Sequence, residues 1–104
     1  MNIKYSDSRM ERILTSRRLI GKKYGHIQPS LENRLSELRA ARYLADITCE
    51  PPPRRHKLTG DYDGCWSVSV SKNWRIVLQP IGDFDLNDLT TITAMKIISI
   101  EDYH

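Results

Sequence analysis

Residues that cross-link or stiffen small folds are scarce in this chain. Its 104 residues include two cysteines, one phenylalanine, five glycines and five prolines. Neither Cys49 nor Cys65 has a Cys-x-x-Cys partner or a histidine at ligand spacing, so neither a disulfide framework nor a zinc site is indicated. We expect both cysteines to be reduced thiols in a cytoplasmic protein.

Long apolar runs are also absent. No window approaches the roughly 20 apolar residues that a membrane-spanning helix requires, and the N-terminus lacks the apolar stretch of a secretory signal. We therefore expect neither a membrane span nor a cleaved leader. The sequence has no internal repeat. Residues 1–104 are enough for one domain, and a domain of this size buries an adequate core without disulfides or metals.

Charge is distributed unevenly along the chain. The net charge is +3, but residues 1–57 contain 13 Lys and Arg against 6 Asp and Glu, whereas residues 58–104 contain 3 against 7. The first part is therefore +7 and the second −4. A basic half favours a polyanionic partner, because phosphate contacts dominate affinity for nucleic acid. Charge by itself is equally compatible with solvated helix surfaces.

Two helices are predicted in the basic half. After a short strand at 2–5, the apolar spacing predicts a first helix from about residue 8 to residue 20. Ser30 is a suitable N-cap for a second helix that continues to about residue 46. Three consecutive prolines at 51–53 then exclude helix and impose an extended segment.

The second half alternates with the period of a β-strand. Trp66 and Trp74 fall on the apolar side of their strands and are expected to be core residues. Two N-terminal helices packed on one face of a small, antiparallel-rich twisted sheet satisfy both patterns, so the predicted fold class is α+β. The predicted strands and loops are strands at 56–58, 66–70, 74–79 and within 90–101, turns at 60–64 and 71–73, and an acidic loop at 83–89.

Four short motifs carry a family resemblance. They are His56–Asp61, Gly64–Val70, Asn73–Ile76 and Glu101–His104. In this order, and across nearly the full length, the chain resembles HigB, the toxin of host-inhibition-of-growth toxin–antitoxin systems. HigB proteins, also called plasmid maintenance killer proteins, belong to the RelE/ParE superfamily. The resemblance implies a RelE-like fold for residues 1–104.

The resemblance also implies an activity. It implies an endoribonuclease that uses no metal or other cofactor and cuts mRNA at the decoding site of the ribosome, which inhibits translation. It further implies tight inhibition by a HigA-like helix-turn-helix antitoxin, whose complex represses its own operon, and no membrane partner.

Two features depart from the family pattern. The turn that usually reads Leu-Lys-Gly has Thr59 in place of the lysine. Either Lys57, two residues earlier, replaces that charge, or the activity is reduced. The stretch 83–96 is longer than the usual short hairpin, which would alter the contact with the antitoxin or the ribosome.

The C-terminal residues are the first catalytic candidates. Metal-free RNA cleavage needs a group that takes the 2′-hydroxyl proton, one that stabilises the phosphorane and one that protonates the leaving 5′-oxygen. His104 suits proton transfer, since histidine titrates near neutral pH. Tyr103 either stacks on a base or assists the transfer, the alternative being a core or sheet-edge aromatic. Asp102 either orients His104 or only solvates the terminus.

The strands supply the other candidates. Arg75 faces away from Trp74 and Ile76, and its forked guanidinium suits a phosphate; the alternative is an ion pair with the acidic loop. His56 is a second acid–base candidate or a substrate contact, although a lone histidine in a strand is more often structural. The remaining basic candidates are assigned to RNA binding, and these are Arg54, Arg55, Lys57 and Lys72.

Two other functions are compatible with the same fold. A ParE-like gyrase poison would bind a topoisomerase and cleave no RNA, and a degenerate toxin would bind only RNA or its antitoxin. The presence of Tyr103, His104, His56 and Arg75 together favours the ribonuclease.

Overall fold

Residues 1–103, which a computed structural model describes, form five strands and three α-helices. In chain order the elements are β1 (Asn2–Tyr5), α1 (Ser8–Leu14), α2 (Arg17–Tyr24), α3 (Gln28–Ala40), β2 (His56–Lys57), β3 (Trp66–Ser69), β4 (Trp74–Pro80) and β5 (Ala94–Asp102). The acidic loop between β4 and β5 ends in a 3₁₀ turn at Leu89–Thr91.

The first predicted helix is divided into two. A single helix over residues 8–20 is wrong at its centre, because Ser16 has an extended backbone (φ −127°, ψ 115°). The Ser16 hydroxyl accepts a hydrogen bond from the N–H of Leu19 at 3.2 Å and so caps α2. Serine competes in this way with the backbone of a helix, which makes it a better cap than an interior residue.

Helix α3 begins and ends earlier than predicted. It begins at Gln28 with Pro29 in its first turn, so Ser30 is inside the helix rather than its cap. Proline is well placed there, because the first N–H groups of a helix have no partner within it. The helix ends before Ala41, whose backbone is extended, and residues Leu44–Asp46 form a separate 3₁₀ turn.

The five strands form one sheet in the order β1-β5-β4-β3-β2. β1 runs parallel to β5, and the other three pairs are antiparallel. The predicted α+β class and the antiparallel-rich sheet are therefore confirmed. The strand nearest the C-terminus is flanked on both sides, by the first strand and by β4. Alternation along a strand gives its exposed face but not its partners, so this order could not be predicted.

The helices cover one face of the sheet. The core beneath them joins apolar side chains of α3 to side chains of the sheet; its members with 1% exposure or less include Leu31, Leu35, Leu38, Val68, Ile76, Leu78, Met95 and Ile97. Trp66 is buried in this core and Trp74 packs partly buried against it, as predicted. The opposite face holds a small cluster of Leu58, Cys65 and Val77 and is otherwise open to polar side chains.

A β-bulge in β5 changes which side chains reach the open face. The register shifts between Val77 and Leu78, so that Ile98 is skipped in the pairing. A bulge opposes two residues to one and reverses the alternation beyond it. Ile97 therefore faces the helices, whereas Glu101 faces the open side, where it meets a side chain of β4.

The helices in the described part of the chain are short, and none has the length of a membrane span. No helix in residues 1–103 is long and apolar enough to cross a membrane.

Both cysteines are free, Cys49 exposed and Cys65 buried. Burial, helped by the nearby charge of Asp63, raises the pKa of the Cys65 thiol, which therefore stays protonated at neutral pH.

Replacing Leu35 by alanine tests the packing of α3 on the sheet. Leu35 is 1% exposed, so Leu35→Ala removes buried methyl groups, leaves a cavity and is expected to destabilise the fold by about 2–5 kcal/mol. The matched control is Leu86→Ala in the acidic loop, where the leucine is 51% exposed and the expected change is within about 0.5 kcal/mol. Urea denaturation followed by circular dichroism measures both, and equal losses would contradict the assigned core.

Candidate nucleic-acid cleft

A cleft of about 630 Å³ lies on the open face of the sheet. Strands β3 and β4 form its floor, the loop before β2 forms one wall, and the residue after β5 forms the other. Five of the residues predicted from the sequence line it together: Arg54, Arg55, His56, Arg75 and Tyr103.

Strand pairing brings these side chains to one face. His56 pairs with Ser67, and Arg75 pairs with Ser69 on one side and Glu101 on the other. Directly paired residues of antiparallel strands lie on the same face of a sheet. Ser67 and Ser69 therefore give the cleft a floor of small polar side chains, which leaves open space between β2 and the end of β5.

Arg75 is held firmly at the centre of the cleft. Its Nε and Nη2 donate to Oε1 of Glu101 at 3.0 and 2.7 Å. Its Cζ lies 4.8 Å from the ring centroid of Tyr103 and 5.7 Å from that of Tyr62. The ion pair that the sequence offered as an alternative role for Arg75 is present. Its partner is Glu101 of the neighbouring strand β5 and not a residue of the acidic loop.

Glu101 is ionised at neutral pH. Desolvation alone would raise the pKa of its carboxyl, but hydrogen bonds from Arg75 and Tyr62 outweigh it and hold the pKa below its usual value. The Tyr62 hydroxyl donates to Oε2 at 2.8 Å and the Ser99 hydroxyl donates to the same oxygen at 3.2 Å. This carboxylate therefore accepts hydrogen bonds at both oxygens.

Tyr103 closes one side of the cleft. Its N–H donates to the carbonyl of Asn73 at 3.0 Å, which extends the pairing of β4 and β5 by one residue. The side chain remains 48% exposed while its ring covers Arg75. His104 lies outside the described residues.

The loop before β2 supplies two guanidinium groups of different character. Arg55 is committed to the fold: its Nη1 donates to the carbonyl of Ile47 at 2.6 Å and its Nη2 contacts Sγ of Cys49 at 3.1 Å. Arg54 is exposed, and its φ of 45° lies in the left-handed region, which is unfavourable for a residue with a Cβ. Such strained positions cluster at functional sites.

The other two predicted RNA contacts are placed differently. Lys72 lies in the turn between β3 and β4 and lines a second cleft of about 250 Å³, which shares Arg54, Ser69 and Tyr103 with the first. Lys57 pairs with Trp66, so it lies on the opposite face of β2 from His56 and is not brought to the cleft. Lys57 is therefore not among the residues that line this cleft, and the two alternatives for the charge missing at Thr59, replacement by Lys57 or a reduced activity, stay predictions.

The arrangement is suited to holding an anion. Three guanidinium groups and an imidazole border one concavity, and a guanidinium binds phosphate oxygens with charge-assisted hydrogen bonds. In the described part of the chain, no three His, Cys, Asp or Glu side chains stand close enough together to form a metal site. An exposed aromatic ring beside the guanidinium offers a surface on which a base can stack.

Sequence reasoning missed the residues that hold Arg75. Tyr62, Ser99 and Glu101 were not among the candidates, and all three belong to the hydrogen-bonded network around the guanidinium. One signal was available: the apolar positions of β5 change phase between Ile97 and Ile98. That change indicates a bulge, and a bulge turns Glu101 towards the open face.

Comparisons with known proteins show the fold. No protein-family model matches the chain, and no curated protein matches its sequence. A YoeB/ParE toxin from Agrobacterium tumefaciens superposes with a TM-score of 0.60 at 12% identity, covering 100% of both chains. A YoeB–YefM complex and a heterotetrameric YoeB–YefM complex, both from Staphylococcus aureus, give TM-scores of 0.55 and 0.52 at 18% identity, covering 100% of this chain and 97% of the other.

The chain therefore has the RelE-like fold that YoeB and ParE toxins share. At these identities the likeness extends to the fold alone. The resemblance to HigB remains a prediction.

The stability contributed by Glu101 should depend on pH. A carboxyl whose pKa is lowered on folding stabilises the folded state at neutral pH and loses that effect as pH falls through the lowered pKa. Glu101→Gln is expected to reduce the free energy of unfolding by about 1–3 kcal/mol at neutral pH, and the difference from wild type should shrink towards acid pH. Urea unfolding at successively lower pH measures this difference.

The control for this prediction is Glu32→Gln. Glu32 pairs with Arg17 at 3.0 Å, but the arginine side chain is 88% exposed, so the expected loss is at most about 1 kcal/mol. A Glu101→Gln penalty that stays constant from neutral to acid pH would contradict the ionised, hydrogen-bonded carboxylate.

Proposed function

We propose that the chain is the toxin of a type II toxin–antitoxin system of the HigB type. In this proposal it is a metal-independent, ribosome-dependent mRNA endoribonuclease that acts in the cytoplasm and is neutralised by a HigA-like helix-turn-helix antitoxin. The observation that carries the proposal is the cleft, in which Arg75, His56 and Tyr103 lie on one open face. Each of the four HigB-like motifs contributes at least one residue to the lining of this cleft.

Arg75 is the group proposed to bind the scissile phosphate. A guanidinium has five N–H donors, and Glu101 takes two of those of Arg75, so three have no hydrogen-bond partner among residues 1–103. These donors are fixed before substrate arrives, because the ion pair and two rings hold the side chain. Fixed donors stabilise the extra negative charge of the phosphorane without reorganisation.

Histidines are proposed to transfer the protons. His56 is exposed at the edge of the cleft and its side chain makes no hydrogen bond within residues 1–103. His104 follows Tyr103 directly in the chain. Two imidazoles near one phosphate would serve as base for the 2′-hydroxyl and as acid for the 5′-oxygen. Tyr103, with its exposed ring, is proposed to stack on the base next to the cut.

The rim of the cleft is proposed to follow the RNA backbone. Arg54 borders both clefts and Lys72 the smaller one, so cationic groups continue beyond the central arginine. The hydroxyls of Ser67 and Ser69 lie on the floor and offer hydrogen bonds to sugar or phosphate. A shallow, basic surface of this kind suits a strand of mRNA presented by the ribosome.

The antitoxin partner is supported by fold likeness. Two of the solved structures with this fold are complexes of YoeB with YefM. A toxin of the same fold is expected to require a comparable inhibitor here, and the HigB-like motifs favour one of the HigA type.

A ParE-like gyrase poison is the second candidate. The Agrobacterium tumefaciens protein with this fold is described as YoeB/ParE, and a fold hosts different activities through different sites. Arg75 and the aromatic ring of Tyr103 in one open cleft favour RNA cleavage over topoisomerase binding.

Primer extension on a defined mRNA in a translating extract distinguishes the two candidates. Wild type is expected to produce new 5′ ends that depend on translation. Arg75→Lys keeps the positive charge but replaces the planar guanidinium, which can bind a phosphate through two N–H groups, by a single ammonium. This variant should lower the cleavage rate by about 100-fold or more. His104→Ala should abolish the new ends.

The control variant for cleavage is Arg42→Lys. Arg42 is exposed and paired with Asp46 at 3.2 Å, outside the cleft, and its replacement should leave the cutting rate near that of wild type. DNA damage signalling without RNA ends would replace the ribonuclease proposal by the gyrase one.

Salt dependence tests the proposed backbone contacts. Each of Arg54→Ala and Lys72→Ala should reduce the slope of log K against log salt by about 0.7 for a single-stranded RNA. Lys23→Ala, in α2 on the helix side, is the control and should leave the slope unchanged. Fluorescence anisotropy with a labelled oligonucleotide measures the slopes; a flat salt dependence for wild type would remove phosphate binding from the proposal.

A further inference from the structure

We propose that Glu101 and Tyr62 are positioning residues for Arg75, and that they set the rate of RNA cleavage by orienting its guanidinium rather than by contacting substrate. This inference rests on the proposed ribonuclease function. It concerns two side chains that were not candidate site residues and that do not line the cleft. Glu101 stands in one of the HigB-like motifs, but the motif assigns it no role.

The two oxygens of the Glu101 carboxylate have different partners. Oε1 accepts both Nε and Nη2 of Arg75, at 3.0 and 2.7 Å. Oε2 accepts the hydroxyls of Tyr62 and Ser99, at 2.8 and 3.2 Å. The carboxylate therefore cannot rotate without breaking bonds on both sides, and its orientation dictates that of the guanidinium.

Tyr62 acts on Arg75 in two ways. Its hydroxyl holds the carboxylate, and its ring lies 5.7 Å from Arg75 Cζ while the ring of Tyr103 lies 4.8 Å away. Tyr62 belongs to the 3₁₀ turn Gly60–Tyr62 between β2 and β3, so this turn packs its side chain against the ion pair formed by β4 and β5. Hydrogen bonds fix the position of the guanidinium, and the two rings restrict it further.

The ion pair orients the Arg75 guanidinium for cleavage, but its negative charge also weakens the attraction of that guanidinium to RNA. Glu101 places a negative charge within hydrogen-bond distance of the group that meets phosphate, which weakens attraction to RNA. Removing that charge should therefore strengthen RNA binding, while loss of orientation should slow the cut. A residue that only supported the fold would weaken both.

The test compares Glu101→Gln and Tyr62→Phe in single-turnover cleavage on programmed ribosomes and in binding to a labelled RNA oligonucleotide. Glu101→Gln should lower the maximal rate by about 10- to 100-fold and tighten RNA binding by about two- to fivefold. Tyr62→Phe should lower the rate by several-fold with unchanged affinity, because the charges are intact. Glu32→Gln and Tyr43→Phe, outside the cleft, are the controls and should change neither quantity.

A second measurement reports orientation without any cleavage. In ¹⁵N-labelled protein, the Nε–H signal of Arg75 should be sharp and slow to exchange in wild type, and broadened or lost in Glu101→Gln. Unchanged rates in both variants, or rate and affinity falling together, would overturn the proposal. If wild type itself cuts no RNA, the ribonuclease function fails, and the Arg75 signal still decides whether the two residues hold the guanidinium.

Discussion

The register of β5 against β4 is the constraint on which the cleft depends. It pairs Arg75 with Glu101 and continues to Tyr103, whose N–H bonds to Asn73. Tyr103 is thereby held with its ring over the guanidinium. β1 flanks the other side of β5 over Ala94–Ile97, so the first half of the strand is held by two neighbours. A shift of one residue would turn Glu101 away from the open face.

The one-sided helix layer gives the open face its character. Helices α1 to α3 bury the apolar residues of the sheet on one side, so the other side needs apolar packing only around Val77. The remaining positions are free to carry serines and charged groups. The candidate site residues His56 and Arg75 thus sit on strands of a packed sheet, which positions them more rigidly than loops would. The loop before β2 adds Arg54 in a strained conformation at the rim of the same cleft.

Arg75 is a mostly buried charged side chain that is paired with a carboxylate and still has N–H donors left for a ligand. A lone guanidinium on a half-buried floor would lose hydration without compensation, and full pairing would leave no donors for a ligand. The geometry lies between these cases: one carboxylate oxygen takes two donors, and two rings cover the guanidinium. The same fold serves YoeB and ParE toxins, so local arrangements such as this one, rather than the fold, distinguish activities.

The sequence by itself determined the α+β class, the strands of the second half, both core tryptophans and five of the side chains that line the cleft. Periodicity sufficed for the class, the strands and the tryptophans, because burial on one face imposes it directly on the residues. The cleft residues were predicted from the HigB-like motifs and from the cluster of basic residues before β2. Tertiary structure decided the break at Ser16, the parallel partner of β1, the exclusion of Lys57 from the cleft and the Arg75–Glu101 pair. The strand partners and the Arg75–Glu101 pair depend on which distant segments meet, and this leaves little trace in a local pattern. The break at Ser16 is local, because a serine hydroxyl that caps a helix competes with the backbone for the same N–H groups.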